Sequence, residues 1–145
     1  MTIIAFKDGI LAADSAFVQE DMMFGTAEKI WRRGDGTLVG GHGDAGYCEQ
    51  FRQWVMDGEE GDAPETPENQ EGYSCGLIVR PNGKLEIHTP RGALPFSGAY
   101  YAMGSGSALA IGAMAFGATA EEATQVAIDH CCWCGGPITV LEAGK

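Results

Sequence analysis

Residues 1–14 read Met1-Thr-Ile-Ile-Ala-Phe-Lys-Asp-Gly-Ile-Leu-Ala-Ala-Asp14. Thr2 to Phe6 and Ile10 to Ala13 are two apolar runs, and Lys7-Asp8-Gly9 between them is a turn. Asp-Gly flanked by apolar runs is a strong hairpin signal, because the turn it permits matches the twist of the strands it joins. Pairing across the hairpin carries Asp14 back to the start of the chain. Removal of Met1 would leave a free α-amine on Thr2, and Thr is small enough at position two for that removal. A threonine hydroxyl beside its own terminal amine is a nucleophile with a built-in base.

Beyond the hairpin, residues 15–26 read as a polar excursion that contains Met22-Met23-Phe24. Strands follow at Lys29 to Arg33 and Thr37 to Gly40, joined by Gly34-Asp35-Gly36. Asp44 is positioned to cap a helix whose Tyr47, Cys48, Phe51, Trp54 and Val55 recur at helical spacing and form one apolar face. That helix ends near Asp57-Gly58. Residues 57–71 carry seven acids, two prolines and no large apolar group, which predicts a solvated, flexible loop. A second hairpin joins Ser74 to Arg80 and Leu85 to Thr89 through Pro81-Asn82-Gly83-Lys84. Residues 91–99 read as irregular and Tyr100 to Met103 as a short strand. Gly104-Ser105-Gly106 opens a helix to Phe116, and Thr119-Ala-Glu-Glu122 matches a capping box for a helix ending near His130. Ile138 to Glu142 is a last strand.

Strands, helix, strands, two helices, strand is an α+β order, and hairpins supply antiparallel sheets. A chain of 145 residues without repeat or linker is expected to form one domain over residues 1–145. Its apolar content of 45% and charged content of 20% suit a soluble globular protein. A net charge of −11 argues against nucleic-acid and anionic-membrane surfaces. The N-terminus has no signal-peptide pattern, and five cysteines are an odd count. Reduced thiols and a cytoplasmic location are therefore expected.

Several segments, taken in order, resemble one family. Ala12-Ala13-Asp14-Ser15 after the hairpin, Glu28-Lys29-Ile30, Gly40-Gly41-His42-Gly43-Asp44-Ala45, Ala102-Met103-Gly104-Ser105-Gly106-Ser107, and Cys134-Gly135-Gly136 through Val140 are similar to the proteasome β subunits and their bacterial HslV-type relatives. The resemblance implies the αββα sandwich of N-terminal-nucleophile hydrolases: two stacked antiparallel sheets between helical layers. It implies a threonine-type endopeptidase acting on unfolded polypeptide, with Thr2 as nucleophile, Asp14 and Lys29 as an ion pair beside it, and Ser105 near the amine. A backbone amide of the glycine turn would stabilise the oxyanion; among Gly40, Gly41 and Gly43, Gly43 is favoured because it adjoins the helix start. The resemblance also implies a ring-shaped homo-oligomer, and an ATP-dependent unfoldase is a plausible partner. No cofactor or metal is implied.

One segment departs from the family pattern. The family often carries Asp-x-x-Ser-Gly-Gly where this chain has Cys131-Cys132-Trp133-Cys134-Gly135-Gly136. The carboxylate that would orient the amine is replaced by Cys131, unless nearby Asp129 compensates. Two further functions remain open: an inactive ring-forming relative, favoured by the lost carboxylate or a retained Met1, and an amidohydrolase of the same fold acting on a small amide. Zinc at His130, Cys131 and Cys134 lacks a fourth ligand. A cysteine protease built on Cys75 with His42 or His88 has no spacing to support it.

Overall fold

The computed structural model describes residues 2–69 and 72–145. Met1 and the end of the acidic segment, residues 70–71, lie outside the described residues. The first hairpin forms as the sequence predicts: β1 (Ile3–Lys7) pairs antiparallel with β2 (Ile10–Ala13), with Lys7 opposite Ile10. Asp8 and Gly9 both take positive φ, 54° and 76°, as a two-residue turn of this hand requires.

A ribbon, β3 (Ala16–Gln19) with β4 (Met22–Thr26), follows; then β5 (Ile30–Arg32), β6 (Leu38–His42) and α1 (Ala45–Met56). Next come the two-residue β7 (Glu68–Asn69) and β8 (Gly72–Tyr73), then β9 (Cys75–Val79), β10 (Leu85–Thr89), β11 (Gly92–Phe96) and β12 (Tyr100–Gly104). The chain ends with α2 (Ser107–Ala115), α3 (Ala120–His130) and β13 (Thr139–Glu142). Two antiparallel sheets dominate, in the orders β12-β1-β2-β13 and β11-β10-β9-β6-β5.

Alternation along the strands builds the layers. On β1, Ile4 and Phe6 meet Leu38, Leu77 and Val79 of the second sheet, while Ile3 and Ala5 meet Ala110, Met114, Ala123 and Ala127 of α2 and α3. On the far side, Val39 and Ile78 pack on Tyr47, Phe51 and Val55 of α1. The order is therefore helices, sheet, sheet, helix: a mixed α+β sandwich of four layers. The helix starts follow their sequence signals. Asp44 accepts from the Tyr47 amide at 2.7 Å, and Thr119 and Glu122 close a reciprocal capping box.

Three segments differ from the sequence reading. Residues 16–26 pair as the β3–β4 ribbon, which leaves Phe17, Met22, Met23 and Phe24 exposed. Residues 92–96 form β11, an edge strand, a position that tolerates Pro95 because one side of the strand has no neighbour to bond. In the acidic segment expected to be solvated, Glu59 is anchored by Arg33 at 2.8 Å and by Arg80 at 2.7 Å.

Packing of α1 on its sheet is tight at Gly76. A Cβ there would lie 2.4 Å from the Phe51 ring, and Phe51 is 1% exposed. Gly76→Ala is accordingly expected to cost about 1–3 kcal/mol of overpacking, read as a lower denaturant midpoint with unchanged slope.

Candidate active site

The hairpin register sets the first two site residues. Ile4 faces Ala13, so the next residues outward, Ile3 and Asp14, are also adjacent. The Asp14 amide donates to the Ile3 carbonyl at 3.2 Å, and the Ile3 amide donates back to Asp14 Oδ1 at 3.1 Å. The side chain of Asp14 is 0% exposed. Burying a carboxylate is costly unless it is fully bonded, and this one is. Lys29 Nζ donates to Oδ1 at 2.8 Å, and the Gly135 amide donates to Oδ2 at 3.0 Å. Lys29 stands immediately before β5, so the ion pair ties the start of that strand to the end of β2.

Thr2 lies just ahead of β1 and is largely buried. Its nitrogen donates to Ser105 Oγ at 3.4 Å, and the Gly106 amide donates to its carbonyl at 3.4 Å. Ser105 is not the cap of α2; that position belongs to Gly106. The close approach requires glycine at 104, where φ is 98° and a Cβ would lie 2.1 Å from the Thr2 carbonyl oxygen. Gly40 and Gly41 are strand residues of β6, whereas Gly43 is the junction to α1, with φ 105° and Ser74 packed against it.

Thr2, Lys29, Gly43 and Ser105 line one cavity of about 1050 Å³, with Asp14 buried behind Lys29. A threonine whose nitrogen donates to a serine hydroxyl, an anchored ammonium and the backbone at a helix start all border this cavity. That set can activate a hydroxyl and stabilise an oxyanion.

The structure resembles BPH of Thiobacillus denitrificans. The match has a TM-score of 0.64 at 24% identity and covers 98% of this chain and 97% of that one. BPH in complex with epoxomicin gives a TM-score of 0.66 at 22% identity, covering 99% of each chain. At these identities the likeness with BPH is one of fold. No family model matches the sequence, and no curated protein does.

Gly135 was not foreseen as a site residue, since a donating backbone amide leaves no side-chain signature; the Gly135-Gly136 pair is the only hint. The Cys131–Cys134 segment packs against the same region. Cys134 is buried against Gly106 and Ala127, and burial, with Cys131 beside it, pushes its thiol up to about 12. Asp129 does not compensate for the missing carboxylate: it is exposed on α3 and accepts from Gln125 at 2.8 Å. No group of metal-ligating side chains is found among the described residues.

His42 and Cys75 are brought together, opposite each other in the β6–β9 register, and both line the cavity. Burial raises the Cys75 thiol and lowers the His42 imidazole, the reverse of a thiolate–imidazolium pair. His88 lies elsewhere, in ring contact with Phe51 and Trp54. The pair thus lacks the lowered thiol of an activated cysteine nucleophile. Among the described residues no helix is long and apolar enough to cross a membrane.

Proposed function

We propose that this chain is a proteasome-like threonine endopeptidase of the N-terminal-nucleophile type, cleaving peptide bonds in unfolded polypeptide. The observation that carries the reading is the buried Asp14–Lys29 pair lining up behind the cavity that holds Thr2, whose nitrogen contacts Ser105. Once Met1 is removed, Thr2 carries an α-amine with an ordinary pKa of about 7.7–8.0, suited to accept a proton at neutral pH. Thr2 Oγ attacks the peptide carbonyl carbon and its proton passes to the amine, directly or through water. The Gly43 amide donates to the oxyanion. Collapse expels the new amino terminus, which takes the proton, and leaves an ester on Thr2. Water, deprotonated by the same amine, hydrolyses the ester and regenerates the hydroxyl. The Lys29 ammonium favours the alkoxide and keeps the amine neutral. Asp14 holds Lys29 in position and Ser105 orients the amine.

The likeness to a fold seen in complex with epoxomicin, a proteasome inhibitor, supports this reading. A ring-shaped homo-oligomer in the cytoplasm, fed by an ATP-dependent unfoldase, belongs to the same proposal. A second reading, an inactive ring-forming relative, is favoured by Cys131 in place of a carboxylate and by the exposed position of Asp129. An amidohydrolase acting on a small amide would share the chemistry without the ring.

The deciding experiment is intact-mass spectrometry before and after treatment with epoxomicin. Loss of Met1 and one adduct per chain, mapped to Thr2, is the expected result. An intact Met1 and no adduct would support the inactive shell, while an adduct on a species that stays monomeric by light scattering would favour the amidase.

Cys131→Asp with Cys134→Ser tests the departure from the family pattern. The double variant is expected to fold, because both cysteines serve as small packing groups, and to bind no zinc before or after the change. If the amine is under-oriented in the parent, peptide turnover rises. An unchanged rate would show that Thr2, Asp14, Lys29 and Ser105 suffice.

A further inference from the structure

The cavity around Thr2 is chemically two-sided. Its lining combines apolar groups, Val18, Trp31, Cys48 and Met103 among them, with the carboxylates of Glu28, Asp44 and Glu49. Counter-charge is scarce. Lys29 is held by the buried Asp14 at 2.8 Å. Arg52 takes Glu49, its Nε donating at 2.9 Å while its guanidinium lies over the Trp31 ring. His42 is driven toward neutrality by burial. No other Lys, Arg or His among the described residues lines the cavity.

Among the described residues, the donors to the Glu28 and Asp44 carboxylates are neutral. Glu28 accepts from the Trp31 indole at 3.1 Å, and Asp44 from the Tyr47 amide at 2.7 Å. Such bonds orient a carboxylate without cancelling its charge. A cleft lined by one sign of charge concentrates the opposite charge even where its carboxylates are solvent-exposed, as Glu28 and Asp44 are. A lining that mixes apolar groups with carboxylates suits a side chain with an apolar stem and a cationic head.

We propose that the site prefers polypeptides bearing lysine or arginine on the acyl side of the cleaved bond, with Glu28 and Asp44 as the specificity-determining residues. This preference rests on the threonine-peptidase reading and adds the substrate class to it. Glu49 contributes less, because Arg52 already neutralises it.

The test uses the methionine-processed protein and four fluorogenic peptides that differ only in the residue before the leaving group: Arg, Lys, Leu or Glu. Arg and Lys peptides are expected to exceed Leu in kcat/KM by about fivefold or more, near the upper end for an exposed ion pair, and Glu to be slowest. The advantage shrinks in high salt. Glu28→Gln and Asp44→Asn, the latter keeping a good helix cap, each reduce the Arg-to-Leu ratio chiefly through KM; Glu28→Lys reverses it; Glu49→Gln changes it least. Leu or Glu peptides cut as fast as Arg, by protein whose Thr2 accepts epoxomicin, would overturn the preference and leave the threonine reading intact. No cleavage of any peptide together with no adduct on Thr2 would remove both.

Discussion

Thr2→Ala is expected to fold as the parent does and to lose peptide turnover by roughly 10³-fold or more, the scale seen when a covalent nucleophile is removed. The substitution deletes a hydroxyl and a methyl at a position just outside β1. The bonds that fix the residue run through its backbone, nitrogen to Ser105 and carbonyl to Gly106, and both survive. Alanine is also small enough for methionine removal, so the variant keeps the amine and loses only the attacking oxygen. Thr2→Ser restores a hydroxyl and is expected to recover part of the rate. The measurements are circular dichroism, a thermal melt and peptidase assay on the same preparation. Peptidase activity persisting in a folded Thr2→Ala protein would exclude the mechanism, whatever the cavity looks like.

Sequence legibility followed the locality of the interactions. The β1–β2 hairpin was readable because Asp8-Gly9 specifies its turn and both strands are apolar. From it followed the pairing of Ile3 with Asp14, one residue from Thr2, a consequence of register alone. The starts of α1 and α3 were readable because Asp44 and Thr119 cap helices within their own first turn. The β3–β4 ribbon was not, for two physical reasons. Its turn, Glu20-Asp21, takes φ of 49° and 64° without glycine or asparagine, and β4, with Met22, Met23 and Phe24, is exposed along its whole length, so no alternation of burial marks that strand. Strand β11 was hidden by Gly92 and Pro95, which an edge position allows.

The wider site behaved differently. Lys29 and Ser105 reach Asp14 and Thr2 across sequence separations of 15 and 103 residues, which no local pattern encodes. Only the resemblance of the segments around them to one family marks them in the sequence. Glu59 shows the same limit from the other side. A run of acids reads as solvated, yet one of them lies between Arg33 and Arg80 because the fold carries two arginines to it. Long-range ion pairs are a product of topology, and topology enters the sequence only through the sum of its elements.

Lys29→Ala is expected to abolish turnover and to lower stability as well, and the two effects can be separated. Asp14 keeps its amide donors from Ile3 and Gly135 but loses the ammonium, leaving a carboxylate with no exposed side-chain surface and no counter-charge. Breaking one side of a buried pair costs about 3–5 kcal/mol; the 11% exposure of Lys29, which admits some water, argues for the lower end. Replacing both partners, Lys29→Met with Asp14→Asn, removes the orphan charge and is expected to regain part of that stability while remaining inactive; the carboxamide accepts from only one of the Ile3 and Gly135 amides, so the other loses its acceptor. Lys29→Arg keeps the charge but substitutes a planar fork for a compact ammonium, so it should hold the fold better than alanine and restore little rate. Denaturant midpoints and kcat for the three variants decide the matter. If the lysine only fastens β5 to β2, rate and stability rise and fall together, and the double variant is as active as it is stable. If the ammonium acts on the Thr2 hydroxyl, the double variant is stable and dead. A residual rate above about a tenth of the parent in Lys29→Ala, far short of the 10²-fold loss expected for a group that moves or stabilises a proton, would assign Lys29 to the fold alone.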